Sequence, residues 1–172
     1  MAKKHDDDCE CCRDGGLAFM EKNEALIKEF GFVVISTTTS SEDDGGDELA
    51  FAYTIGMADK GLPEIMMFGL PPRDMNHMLS NAVNRLISNK MVTGITNEEI
   101  AMCPIMVGEV DPDVAANYII QANNRAGKDL PALQLVWPDQ EGLFPWERGF
   151  NQKMAAYQHI LFKQDKLSCR PH

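Results

Sequence analysis

The chain has 172 residues, a hydrophobic fraction of 44%, 24% charged residues and a formal net charge of -10. That composition suits a soluble globular protein, long enough to bury a core without disulfide or metal support. The acidity argues against a generic nucleic-acid binder, which needs clustered Lys and Arg to neutralise phosphates, and no apolar run is long enough to cross a bilayer.

Residues 1–16 read as a flexible Cys/Asp-rich leader ending in Gly15-Gly16. Its two lysines are not followed by an apolar stretch, so it is not a secretory signal, and the cytoplasm is the expected compartment. Five cysteines are an odd number, which weakens a disulfide framework. Cys9, Cys11 and Cys12 crowd beside His5 and offer thiolate and imidazole ligands for zinc, with Cys169 or His172 as further donors. C-x-C-C lacks the two-residue spacer that wraps one tetrahedral ion, so no metal and no cofactor are expected; zinc on that cluster is the alternative.

A single domain is expected over residues 17–166, followed by a short tail at 167–172. Periodicity predicts a helix over 17–30, with Phe19, Met20, Leu26, Ile27 and Phe30 on one side and Gly31 as its stop. Residues 32–36 (FVVIS) read as a strand. Next comes a run of five acids without a base (Glu42, Asp43, Asp44, Asp47, Glu48), broken by Gly45-Gly46, which reads as a loop. Its sharper alternative is an acidic nucleic-acid mimic that occupies a basic partner.

A second strand, 49–57, pairs most economically antiparallel with the first. A turn at 59–63 leads to a third strand, 64–70, apolar on both faces and therefore expected inside the sheet. Residues 73–89 form the clearest helix, since Met75, Met78, Leu79, Ala82, Val83, Leu86 and Ile87 make one apolar stripe. A short helix after Asn97 is one option for the ambiguous stretch 90–103. A fourth strand spans 105–110. Asp111-Pro112 then opens a helix running to about Gly127. Residues 131–137 read as a central fifth strand, closed by Pro138, and a last helix is predicted over about 150–164. The order α-β-β-β-α-β-α-β-α implies an α+β fold, a mostly antiparallel sheet of about five strands covered by helices on one face.

Two segments carry most of the polar information. In FAYTIG (51–56), Phe51, Tyr53 and Ile55 share one strand face, and Ala52, Thr54 and Gly56 the other. The small face permits close approach of a helix, a backbone or a ligand, and the Tyr53 and Thr54 hydroxyls can orient a polar group. In LQLVWPD (133–139), a buried Gln134 must either crosslink neighbouring backbone or meet a ligand. Trp137-Pro138-Asp139 and Pro145-Trp146-Glu147 each set an indole beside an acid, as a pinned loop or a recognition surface would. Tyr53, Thr54, Gly56, Gln134, Trp137, Asp139 and Trp146 are therefore the ligand-binding candidates. His77 falls on the polar side of its helix and reads as solvated, and His159 reads as packing. Met57, Met66, Met67, Met75 and Met78 read as core.

These strings, with L-P-E, F-G-L-P-P and G-L-F-P-W-E-R-G-F in the same order, resemble the bacterial and phage family known as domain of unknown function 4262. The resemblance covers about residues 30–150. A cysteine cluster ahead of the domain looks like a family trait, although C-E-C-C is tighter than the arrangement expected. The resemblance implies fold boundaries and no mechanism, and it adds Pro63, Glu64 and Glu147 to the residues of interest.

No glycine-rich phosphate loop, nucleophile elbow or H-E-x-x-H motif is present. The first expectation is a small cytosolic binding protein for a host or self protein partner or a nucleotide-like small molecule, with a phage accessory or counter-defence role compatible with the resemblance. Neither direct nucleic-acid binding nor a membrane is expected. The catalytic alternative is a hydrolase with Asp139 and Glu147 as acid and base, assisted by Tyr53.

Overall fold

The computed structural model describes residues 10–39, 49–91, 93–94, 96–97 and 99–164. The acidic stretch 42–48, His5, Cys9, Cys169, His172 and the tail at 167–172 lie outside the described residues. The chain divides into two compact units, Met1–Val33 and Val34–His172. The first contains helix α1 (Glu10–Phe30), which begins seven residues before the expected start at residue 17 and includes Cys11 and Cys12. Gly31 ends it at a φ of 86°, and the Gly31 amide donates to the Ile27 carbonyl at 2.8 Å, the left-handed stop the sequence suggests.

The second unit is built on one sheet in the order β1-β2-β3-β6-β5-β4. Its strands are β1 (Val33–Thr39), β2 (Leu49–Ile55), β3 (Glu64–Phe68), β4 (Thr96–Asn97), β5 (Ile105–Val110) and β6 (Ala132–Val136). β2 pairs antiparallel with β3, β6 with β5, and β5 with β4. β3 and β6 are parallel, with Met66 opposite Gln134. The α+β class and the mostly antiparallel sheet are as expected. β3 lies inside the sheet with all five residues buried, as its two apolar faces require. The two-residue β4 stands where a short helix had been an option.

Registers and strand alternation assign the faces. Phe51, Tyr53, Met66, Phe68, Gln134, Val136, Met106 and Gly108 point one way; Ala52, Met67, Leu133, Leu135 and Val107 point the other. Helix α2 (Pro72–Ile87) lies against β2 and β3. Tyr118, His159 and Phe162 take the first face, so the small-residue face is the one left for α2. Met75, Met78, Leu79, Ala82 and Val83 are its buried stripe, and with Met57, Met66 and Met67 the methionines are core.

Coverage of both faces corrects the expected one-sided sheet. The helix expected to reach Gly127 is two pieces, α3 (Pro112–Ala115) and α4 (Ile120–Ala126). At the break, Tyr118 sets its ring edge-on to Phe51 and Phe68 at 5.9 and 5.4 Å. The last helix shrinks from the predicted span to α5 (Gln152–Ala155). Residues 157–162 run instead as an irregular strap across the sheet face, where the Gln134 side chain takes up the His159 carbonyl and the Leu161 amide that a helix would have paired. No helix among the described residues is long and apolar enough to cross a membrane.

Candidate functional site

The sequence-selected residues separate into two constellations. The first is a knot at the β2–β3 connection. Glu64 opens β3 and is 1% exposed, yet its carboxylate is fully engaged. The Thr54 hydroxyl donates to Oε2 at 2.6 Å, and the Gly56 and Ala58 amides donate to Oε1 at 3.1 and 3.2 Å. Thr54 in turn accepts from the Ile65 amide at 2.9 Å. Gly56 adopts a φ of 119°, which turns its amide toward Glu64 at the mouth of the 3₁₀ turn Met57–Lys60. Burial pushes the Glu64 carboxyl above its ordinary range, and the donors from Thr54, Ala58, Gly56 and Met57 offset only part of that rise.

Tyr53, 3% exposed, is held protonated. Burial raises its hydroxyl, the Gln121 amide pulls it down, and the Glu64 charge raises it again. The 3₁₀ turn is tied to α4 by Arg125, which meets both Asp59 oxygens at 2.8 Å and, chiefly through that hydrogen bond, lowers the Asp59 carboxyl.

The second constellation surrounds β6 and the loop after it. Asp139 is nearly buried and organises that loop: Oδ1 accepts from the Glu141 and Leu143 amides at 3.0 Å each, and Oδ2 from Asn151 at 2.9 Å. Burial works against its charge, but the amides of Leu143, Asn151 and Glu141 prevail and hold its carboxyl below the ordinary range. Glu147 accepts from the Phe144 amide at 2.7 Å. Trp137 donates its indole N–H to the Phe68 carbonyl at 2.8 Å. Trp146 stacks on Phe144 at 5.2 Å and presents its edge-on contact to Phe162 at 5.8 Å.

Gln134 bridges this region to the strap. Its Nε2 donates to the His159 carbonyl, and its Oε1 accepts from the Leu161 amide at 2.8 Å. Gln158 answers from the strap, donating to the Trp137 carbonyl at 2.9 Å and accepting from the Trp137 amide at 3.1 Å. Of the two options open to a buried Gln134, crosslinking of backbone is the one present.

Tyr53, Thr54, Gly56 and Glu64 therefore meet in the knot, while Gln134, Trp137 and Trp146 meet around the strap, with Asp139 and Glu147 shaping the loop beside it. Residues not singled out complete the second group: Gly108, Gly69, Gln158 and Phe162. A glycine inside the apolar run IMVGEV was the available signal for the first, since it marks a close approach.

An open polar groove of about 760 Å³ lies elsewhere, along the first half of α2, lined by Ser36, Arg73, Asp74, Asn76, His77 and Ser80. None of the sequence-selected ligand residues lines it. His77 is exposed there, 3.3 Å from the Asn81 side chain.

Residues 26–151 match the family model described as domain of unknown function (DUF4262). No curated protein and no solved structure matches the chain. The chain belongs to the DUF4262 family, and the matched segment ends before the strap begins.

Proposed function

We propose that this chain is a cytosolic binding protein whose ligand is a stretch of another protein. The supporting observation is the grip of Gln134, Trp137 and Trp146 on residues 157–162: one side-chain amide holds a carbonyl and an amide of irregular polypeptide while an indole flanks its aromatic ring. A protein-blocking role of this kind suits a phage accessory or counter-defence factor.

The hydrolase alternative fares worse on the same geometry. Acid–base work by two carboxyls needs oxygens free to reach a substrate. Asp139 is held low by three backbone amides, and Glu147 is engaged with Phe144. Screening the purified protein against displayed peptide libraries, alongside a panel of ester and phosphodiester substrates, tests the choice. Peptide selection without turnover is expected; turnover that Glu147→Gln removes from a folded protein would overturn it.

A second reading, a nucleotide-like small molecule, rests on the α2 groove, where a guanidinium, an imidazole and hydroxyls face solvent together. A thermal shift with nucleoside phosphates that Arg73→Ala abolishes would favour it over the protein ligand.

A further inference from the structure

The strap lies on the sheet in the way a bound peptide lies on its receptor. It crosses from the end of β3 over β6 to β5, transverse to the strands. Among the described residues, no backbone–backbone hydrogen bond joins it to the sheet; its own amides at Tyr157 and Gln158 bond back to Met154 and Ala155. What holds it is side-chain recognition of a backbone, through Gln134 on the sheet and Gln158 on the strap. The Gln134 pair is indifferent to the side chains it passes, which is how extended-segment receptors obtain affinity before specificity, whereas the Gln158 pair requires a glutamine on the strap.

Further specificity comes from the strap's far end. Phe162 is 7% exposed and rests on Gly108, where a Cβ would stand 2.1 Å from its ring. Trp146 closes one side of that slot. A second glycine, Gly69, clears the path at the near end, where a Cβ would stand 2.1 Å from the Tyr157 carbonyl oxygen. Along its length the occupant alternates between exposed and buried: Tyr157 is 55% exposed and His159 is exposed, whereas Gln158 between them is buried. The receptor residues Gly69, Gly108, Gln134, Trp137 and Trp146 all fall within the family-matched segment, and the strap lies beyond it.

We infer that this sheet face is a peptide-binding groove, filled in cis by residues 157–162, and that its partner is an extended protein segment carrying a glutamine followed four residues later by an aromatic residue. The glutamine makes the reciprocal pair with the Trp137 backbone, the aromatic ring enters the Gly108–Trp146 slot, and the partner's backbone takes the Gln134 amide. The strap is then a tethered competitor that sets the threshold for binding. This rests on the protein-ligand function proposed above and adds the site, the motif and the competition.

The test uses the full chain and a fluorescein-labelled peptide of residues 155–164 (AAYQHILFKQ). Gln158→Ala/Phe162→Ala, which weakens the strap, is expected to bind the peptide saturably by anisotropy, at least tenfold tighter than the native chain. Replacing the phenylalanine of the peptide with alanine, or adding Gly108→Leu to the protein, is expected to abolish binding. A folded double variant that does not bind the peptide, or binding that survives Gly108→Leu, overturns the inference. Should the double variant not fold, hydrogen exchange on the native chain decides independently. The Leu161 amide is expected to exchange through local opening, well ahead of the β6 amides; exchange of both only by global unfolding overturns displacement. Peptides of another motif selected by the native chain would leave the protein-binding function standing and remove this groove from it.

Discussion

The knot at Glu64 and the clamp at Gln134 bury polar side chains on neighbouring strands, β3 and β6, but they are built on opposite principles. The knot is local and ionic: its members lie within residues 53–65, and a single carboxyl gathers a hydroxyl and two turn amides. The clamp is long-range and neutral, joining residues 21 to 27 positions apart through amide groups. Hydrogen bonds to a charged acceptor contribute about 1.5–3 kcal/mol each and neutral ones about 0.5–1.5 kcal/mol. Burial of the Glu64 carboxyl offsets part of that advantage, so what fixes the turn of β2 into β3 is the set of buried donors that have no other acceptor, whereas the cover of the far face is held by neutral pairs alone.

Glu64→Ala attacks the fixed end and carries the largest expected effect. It leaves the Thr54 hydroxyl and the Gly56 and Ala58 amides buried without their acceptor, at a cost of about 3 kcal/mol or more, read as a lower urea midpoint. If the loss is under about 1 kcal/mol, the knot is no anchor and the contrast fails. Gly108→Leu attacks the cover. It drives a side chain into the Phe162 ring, costs about 2 kcal/mol, and is expected to raise hydrogen exchange in the strap while β2 and β3 stay protected. Gln134→Ala removes both strap bonds for about 1–2 kcal/mol, with the same local signature.

Acid sharpens the comparison further, because the two buried carboxyls titrate with opposite signs. Glu64 is raised by burial, so above about pH 4.3 the native state keeps a proton that the unfolded chain has released. Its contribution is complete below that pH and declines as pH rises through the folded value; Glu64→Gln is expected to remove the decline. Asp139 is lowered, so its contribution is complete above about pH 3.9 and is lost as pH falls toward the folded value. Asp139→Asn is expected to flatten that acid limb in thermal melts. The smallest effect belongs to the exposed Asp59–Arg125 pair: Asp59→Asn is expected to cost about 0.5 kcal/mol or less, and to cost nothing measurable in high salt.

Much of the fold was legible. β2, β3, α2, β5 and β6 stand within a residue or two of the apolar patterns that predict them, since each buries the face its alternation or 3.6-residue stripe defines. The parallel pairing of β3 with β6 was not legible, because fully buried strands show the same apolar run in either direction. The last helix was misread for a related reason. Met154, Tyr157, Ile160 and Leu161 have helical spacing, but Gln134 captures the backbone at His159 and Leu161, and tertiary contact overrides periodicity.

The site divides the same way. Gln134 announced itself as a buried amide in need of partners, whereas its partner lies at the other end of a loop and carries no pattern of its own. Glu64, an acid heading an apolar strand, came forward only through the family resemblance. A requirement for local donors would have found it, since Gly56 and the turn after it supply amides a few residues away.

The parallel pairing of β3 with β6 has a consequence for the order in which a ribosome delivers this protein. The hairpin of β2 and β3 can close early, but the inner edge of β3 must wait for β6, the last of the described strands to be synthesised. Until then a strand that is apolar beyond Glu64 keeps one row of backbone groups unpaired, the state most prone to join a neighbouring chain. The strap emerges later still, so the face it covers stays bare until residues 157–162 have left the ribosome. During that interval a nascent chain presents the groove without its competitor.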